Sequence, residues 1–344
     1  MTGRVCLLTF AQLPDLSPAA DASPLTAVVD ELTADSVVFD NHYLQHQGPS
    51  GVVKSLQLAM AQAANAGGVS AGATGGDGLQ TPASVPGTTR SGFADACATC
   101  FVVPREKGND SGFDAPSWLN LTKMQADSTD AALANAGEIL SVLQDAEFAW
   151  LHVDVAVTED NHHLLADAVS VMKTLAAGSD DLIMITSLQG HSPAEELPFE
   201  SILWEGCVRT PMWLQYQTLS HRRIQCCTGS HDIGHTVQDF LSSKAIATET
   251  TIPTAAGTQS LLKLAKSPGV IPEREILIRT DSVTAIRTTN FLFAQSVSEG
   301  VPETAMYAKP EDIWHVSDVS TEYLATAEEF EAKLRALDAD GGGA

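Results

Sequence analysis

Histidine and cysteine are the side chains here best suited to nucleophilic, redox or metal chemistry, and their spacing limits what each could do. His231 and His235 stand four apart, the separation that puts two imidazoles on one helix face as in a zinc pair. No glutamate follows as general base in SHDIGHTVQDF, and Asp232 reads as the cap of that helix. Cys97 and Cys100 make a single CxxC with no second copy and no thioredoxin-like context, so neither a metal nor a redox role is favoured. Cys226 and Cys227 are adjacent and unlike a bonded pair, while Cys6 falls in an apolar run and reads as a core thiol. His162 and His163 point apart from a helix start. His152 sits mid-strand, where histidines are more often packed than ligating. The glycines of residues 65–92 follow neither the P-loop nor the GxGxxG pattern.

Hydrophobic periodicity supplies the elements that must position these groups. Residues 5–10 (VCLLTF) and 182–185 (LIMI) are short, wholly apolar runs of the kind buried on both faces of a parallel sheet. A loop is expected after each, at Ala11 and Gln12 and from Thr186 and Ser187 onward, and ligands of open parallel sheets gather at such strand ends. Residues 147–157 form a further strand, and another apolar run begins at Met212. Amphipathic spacing predicts helices over 24–34, 52–64, 128–143 and 164–176, another helix follows the Asp232 cap, and a last charged helix covers 328–337. Residues 65–92 are a Gly/Ser/Thr-rich flexible linker, and 338–344 a frayed tail. The alternation of strand and helix gives an α/β sandwich with a mainly parallel sheet.

Composition narrows the partners. The chain of 344 residues carries 43 acidic and 19 basic side chains, a formal charge of −24. Such a surface repels polyphosphates and anionic lipid, so no nucleic acid and no membrane partner is expected. Six cysteines in so long a chain do not make a disulfide framework. The start, MTGRVCLLTF, is too short in apolar residues for a secretory leader, and no run is long enough to span a bilayer. These features point to a reducing, cytoplasmic setting.

Several stretches together resemble the sulfatase family of the alkaline-phosphatase superfamily. LIMITSLQG is similar to the family strand that ends in Ser-Asp-His-Gly, and Glu205, Arg209 and Pro211 fall on its E-x-x-x-R-x-P segment. Asp30, Leu32, Phe39 and Tyr43 fall on an early helix-strand pattern, and Pro49 and Ser50 on the C/S-x-P-S-R motif. Asp232 to Leu241, the run AIRT at 285–288, and YAKPEDIWHVSDV at 307–319 match later segments. The resemblance implies an alkaline-phosphatase-like domain over 1–275 and a small C-terminal α+β portion over 276–337.

The same resemblance implies a site built from a formylglycine nucleophile, an arginine beside it, and a divalent cation, usually calcium. At those positions the chain has Ala11 and Gln12 for the two aspartates after the first strand, Gln47 for the nucleophile precursor, Gly51 for the arginine, and Leu188 and Gln189 for Asp-His. None carries negative charge, and a hard cation needs several oxygen ligands converging on one point. An amide cannot replace a geminal diol as nucleophile. The expectation is therefore a sulfatase-like protein without turnover, with no metal and no cofactor, serving as a binding or partner module for an unidentified small molecule or protein. The alternatives are an active sulfuric or phosphoric ester hydrolase with a rearranged site, drawing on Asp40, His46, Asp154 or His191, and a scaffold whose pocket is filled by side chains.

Overall fold

The computed structural model describes residues 3–13, 23–45, 51–57, 97–104, 120–126, 128–178, 180–190, 203–245, 258–267, 273–280, 283–298 and 301–341. Gln47, His46, His191, the 65–92 linker and residues 342–344 lie outside them.

Strands β1 (Val5–Gln12), β2 (Val37–Tyr43), β3 (Cys97–Pro104), β4 (Leu121–Ala126), β5 (Phe148–Ala156), β6 (Leu182–Gln189), β7 (Arg209–Gln215) and β8 (Arg222–Gly229) form one sheet. Their order is β4-β3-β5-β1-β6-β7-β2-β8. All run in one direction except β7, which is antiparallel to both neighbours, β6 and β2. The apolar runs at 5–10 and 182–185 lie side by side at its centre, as their composition requires. A second, antiparallel sheet of order β12-β11-β10-β9 is built from β9 (Ile276–Arg279), β10 (Val283–Arg287), β11 (Phe291–Ser298) and β12 (Val301–Ala308).

Strand alternation sends residues to two core layers. Cys6, Leu8 and Phe10 of β1 pack with Leu25 and Leu32 of the Pro24–Ala34 helix, Ile139 and Leu143 of the Ala136–Leu143 helix, and Leu165 and Met172 of the His163–Leu175 helix. Val5 and Leu7 face the other way, toward Val52 and Leu56 of the 51–57 helix, Ile233 and Phe240 of the His231–Ala245 helix, and Leu261 of the Leu261–Lys266 helix. One face of the small sheet, with Ile278, Ala285 and Leu292, meets Tyr43 and Cys227 of the large one. Its other face, with Ile286, Phe293 and Met306, is covered by Phe330 and Leu334 of the Leu324–Gly341 helix.

Local chemistry explains the helix boundaries. Ser23 caps the first helix by accepting from the Thr26 N–H at 3.1 Å, with proline at the start where no donor is needed. The single helix expected over 128–143 is two, Thr129–Ala134 and Ala136–Leu143, because Asn135 leaves helical geometry at φ −90 and ψ 47. The last helix extends to Gly341, so residues 338–341 are helical where composition reads as tail. Strands β4 and β8 had no counterpart in the periodicity. The edge position of both in the sheet order lets them carry charged and polar residues that break an apolar run.

Candidate functional site

The strand ends differ from expectation in a way that decides the site. β1 continues through Ala11 and Gln12, and β6 through Thr186 to Gln189, so these residues stay in the ladder instead of opening into loops. Phe10 pairs with Ser187 and Gln12 with Gln189. Ladder pairing holds the backbone there, and alternation turns Leu188 and Gln189 to opposite faces of the sheet. Leu188 lies on the side of the 51–57 and His231–Ala245 helices, and β1 is irregular between Phe10 and Gln12 where it pairs with β5.

Leu188 is 2% exposed and packs in the apolar layer with Val52, Val53, Leu56 and Ile233. Gly51, at the position the resemblance gives to an arginine, is buried in the same helical stretch. Gln12 donates its amide N–H to the carbonyl of Gly190 at 3.0 Å, and Gly190 N–H donates to Cys207 O at 2.9 Å. A Cβ on Gly190 would fall 2.1 Å from the carbonyl oxygen of Gly206, so only glycine allows the 205–207 turn to close over the end of β6. Ala11, Gln12, Leu188 and Gln189 therefore offer no anionic oxygen, and they do not fit a hard divalent cation. Among the described residues, no group of three or more His, Cys, Asp or Glu side chains could hold a metal ion.

Just beneath these ends runs a buried polar row that sequence reading missed apart from His152. Trp150 Nε1 donates to Thr9 Oγ1 at 2.8 Å, and Thr9 Oγ1 lies 3.0 Å from His152 Nδ1. Indole is a donor only, so the Thr9 hydroxyl proton is free to pass to the imidazole. Thr186 donates to Pro211 O at 2.8 Å. His42 Nδ1 lies 3.0 Å from Thr228 Oγ1, and burial pushes the His42 pKa down to about 4, the nearby Asp232 raising it and Arg274 lowering it further. Side chains on one sheet face two residues apart produce this row, and the sole signal in sequence is the recurrence of Thr and His inside apolar runs. His152, at 3% exposure, is packed as expected.

The other candidates resolve into structural roles. Cys97 belongs to one core layer and Cys100 to the other, so the CxxC spans the sheet and cannot close on a shared ligand. Asp232 accepts from Gly229 N–H at 2.8 Å and Gln259 N–H at 2.7 Å and pairs with both terminal nitrogens of Arg274, at 2.9 and 2.7 Å. It anchors its helix to two later segments, beyond the capping role read from sequence. Burial lowers the pKa values of His231 and His235 on that helix. Asp40 is bound by Arg223 Nε at 3.0 Å on the outer strands, away from β1 and β6. Asp154 lies half-buried on β5.

Four of the segments that carried the resemblance meet at one carboxylate. Glu205 is 7% exposed. Its Oε1 accepts from the Tyr43 hydroxyl and from Arg287 Nε at 2.9 Å; Oε2 faces Lys309 Nζ at 2.9 Å and His315 Nε2 at 3.7 Å. Burial alone would raise the Glu205 pKa, but His315, the charges of Arg287 and Lys309, and the Tyr43 hydroxyl hold it well below the usual carboxylate range. Tyr43 comes from the large sheet, Arg287 from the small one, and Lys309 and His315 from the segment after β12, so the cluster joins the two sheets.

No family model and no curated protein matches the chain. Solved structures do. The chain is similar to yidJ of Bacteroides fragilis, a sulfatase candidate, at 12% identity and a TM-score of 0.61 over 98% of this chain and 95% of that one. It is similar to the phosphonate monoester hydrolase of Agrobacterium radiobacter at 14% identity and a TM-score of 0.56, over 98% and 96%. It is also similar to an alkaline-phosphatase-superfamily protein of Vibrio parahaemolyticus at 12% identity and a TM-score of 0.54, over 96% and 88%. At such identities the likeness is one of fold: the chain has a sulfatase-like, alkaline-phosphatase-type fold. Among the described residues no helix is long and apolar enough to cross a membrane.

Proposed function

We propose that this sulfatase-like fold works without ester hydrolysis, as a binding or partner module. One observation carries the reading. The position that the resemblance assigns to a metal-binding aspartate is Leu188, and its side chain is 2% exposed within an apolar layer. A carboxylate there would have to be buried among Val52, Val53 and Leu56, where an unpaired charge is strongly disfavoured. Neutral Ala11, Gln12 and Gln189 supply nothing to offset it. Without a cation, charge developing on a sulfuryl or phosphoryl group has no counter-charge, and without an activated oxygen nothing attacks it. The formal charge of −24 further disfavours polyanionic ligands, so the ligand or partner is neutral or basic.

The test is metal content of the purified protein together with aryl sulfatase and phosphatase assays at high protein concentration. The expected result is no stoichiometric calcium, magnesium or zinc and no release above background. One divalent ion per chain, or product release that scales with protein, would instead support a hydrolase with a rearranged site.

A further inference from the structure

The Glu205 cluster holds buried donors that its carboxylate does not engage. Oε1 accepts from Tyr43 and Arg287, Oε2 is paired with Lys309, and His315 Nε2 stands 3.7 Å from Oε2. Lys309 also donates to the carbonyl of Asp312 at 2.6 Å. Two donors on residues of this cluster are nonetheless buried with no hydrogen-bond partner: Arg287 Nη1 and Trp204 Nε1. Both belong to the cluster's own framework. The Arg287 side chain is 3% exposed and bonded to Glu205 through Nε, and Trp204 is the residue before Glu205, its ring 5.6 Å from that of His315. A buried donor left unmatched costs about 1–3 kcal/mol, and more when charged, so two such donors beside one site call for a common explanation.

Charge points the same way. Arg287 and Lys309 are two buried cations set against one buried carboxylate, and Asp312, the next acidic group, is only partly buried, with its oxygens turned to the Val316 and Ser317 N–H groups at 2.9 and 3.0 Å. Apolar residues close the surroundings: Leu203, Val208, Ile276, Leu292 and Tyr307. A water placed there would accept from a donor but would bring no charge to set against the second buried cation. A monovalent anion only accepts, and it balances the extra positive charge.

We infer that the buried cluster between the two sheets is completed by one small monovalent anion, of the halide class, held by the guanidinium of Arg287 and the indole N–H of Trp204. The anion binds only where Tyr43, Arg287 and Lys309 are assembled, so it stabilises the joined sheets by mass action. This site is distinct from the ends of β1 and β6 and does not depend on whether the protein hydrolyses esters.

The full-length chain tests it in two ways. Crystals grown in sodium bromide should show an anomalous peak within hydrogen-bonding reach of Arg287 Nη1. Replacing sodium gluconate by sodium chloride at constant ionic strength, which removes general screening as a cause, should raise the melting temperature by several degrees. Trp204→Phe keeps the ring stack and deletes one donor, so it should cut that rise by about half. Absence of a bromide peak at the guanidinium, or a melting temperature indifferent to the exchange in the wild-type chain, overturns the proposal.

Discussion

Two neighbouring regions of this molecule treat charge in opposite ways. At the ends of β1 and β6, positions that could face a ligand carry alanine, leucine and glutamine. A few residues away, the turn that packs against Gly190 begins with Glu205, the centre of a buried knot of charge. The carboxylate kept is the one that fastens sheet to sheet. Charge in this chain therefore marks architecture, and a count of acidic residues near the strand ends would mislead a search for catalysis. The sulfatase-like segments share this bias: Tyr43, Glu205, Arg287 and Lys309 all serve the joint.

The contrast can be broken most forcefully at Glu205. Replacing it with alanine leaves Arg287 and Lys309 buried without their counter-charge, and unfolding in urea should show a loss of about 3–5 kcal/mol. A loss below about 1 kcal/mol would mean the joint is not built on that carboxylate. Next in size is Leu188→Asp, which sets an acidic residue where the sulfatase resemblance has one. With the site filled as described, it should cost about 3 kcal/mol and should not be rescued by calcium. Near-neutral stability with calcium-dependent gain would show an open, ligand-facing pocket instead.

The smallest effect comes from His42 and concerns pH. Its pKa falls from 6.5 to about 4 on folding, so the unfolded chain takes up a proton first. Its contribution is thus full above pH 6.5 and declines as pH drops toward 4. The slope is up to about 1.4 kcal/mol per pH unit. Comparing wild type with His42→Gln isolates this term from His231 and His235, whose lowered pKa values act in the same direction. Parallel stability curves for the two proteins between pH 7 and 4.5 would remove His42 from the account.

The central strands were legible because β1, β5 and β6 are buried on both faces over most of their length and so carry mainly apolar runs. The outer strands β4 and β8 were not, since an edge tolerates Lys123, Arg222 and Arg223 and so loses the pattern. The reach of β1 and β6 beyond their apolar runs was hidden for another reason. Thr186 and Ser187 read as loop by composition, yet neighbouring strands supply the ladder that keeps them extended. Neutral residues at Ala11, Gln12, Leu188 and Gln189 were plain from sequence. That Leu188 is a core residue, and that a Glu205 joint lies beside it, required the fold, because the partners of each come from segments far apart in the chain.

The place of β2 has a consequence for how the protein is made. Val37 pairs with Leu214 on one side and with Arg222 on the other. An early strand, rich in Val and Phe, thus emerges from the ribosome long before either neighbour exists. At ordinary synthesis rates that interval is roughly ten to forty seconds. During it the strand's unsatisfied edges are open to chaperones or to other nascent chains, and a transcript cut short before residue 209 would leave them so permanently.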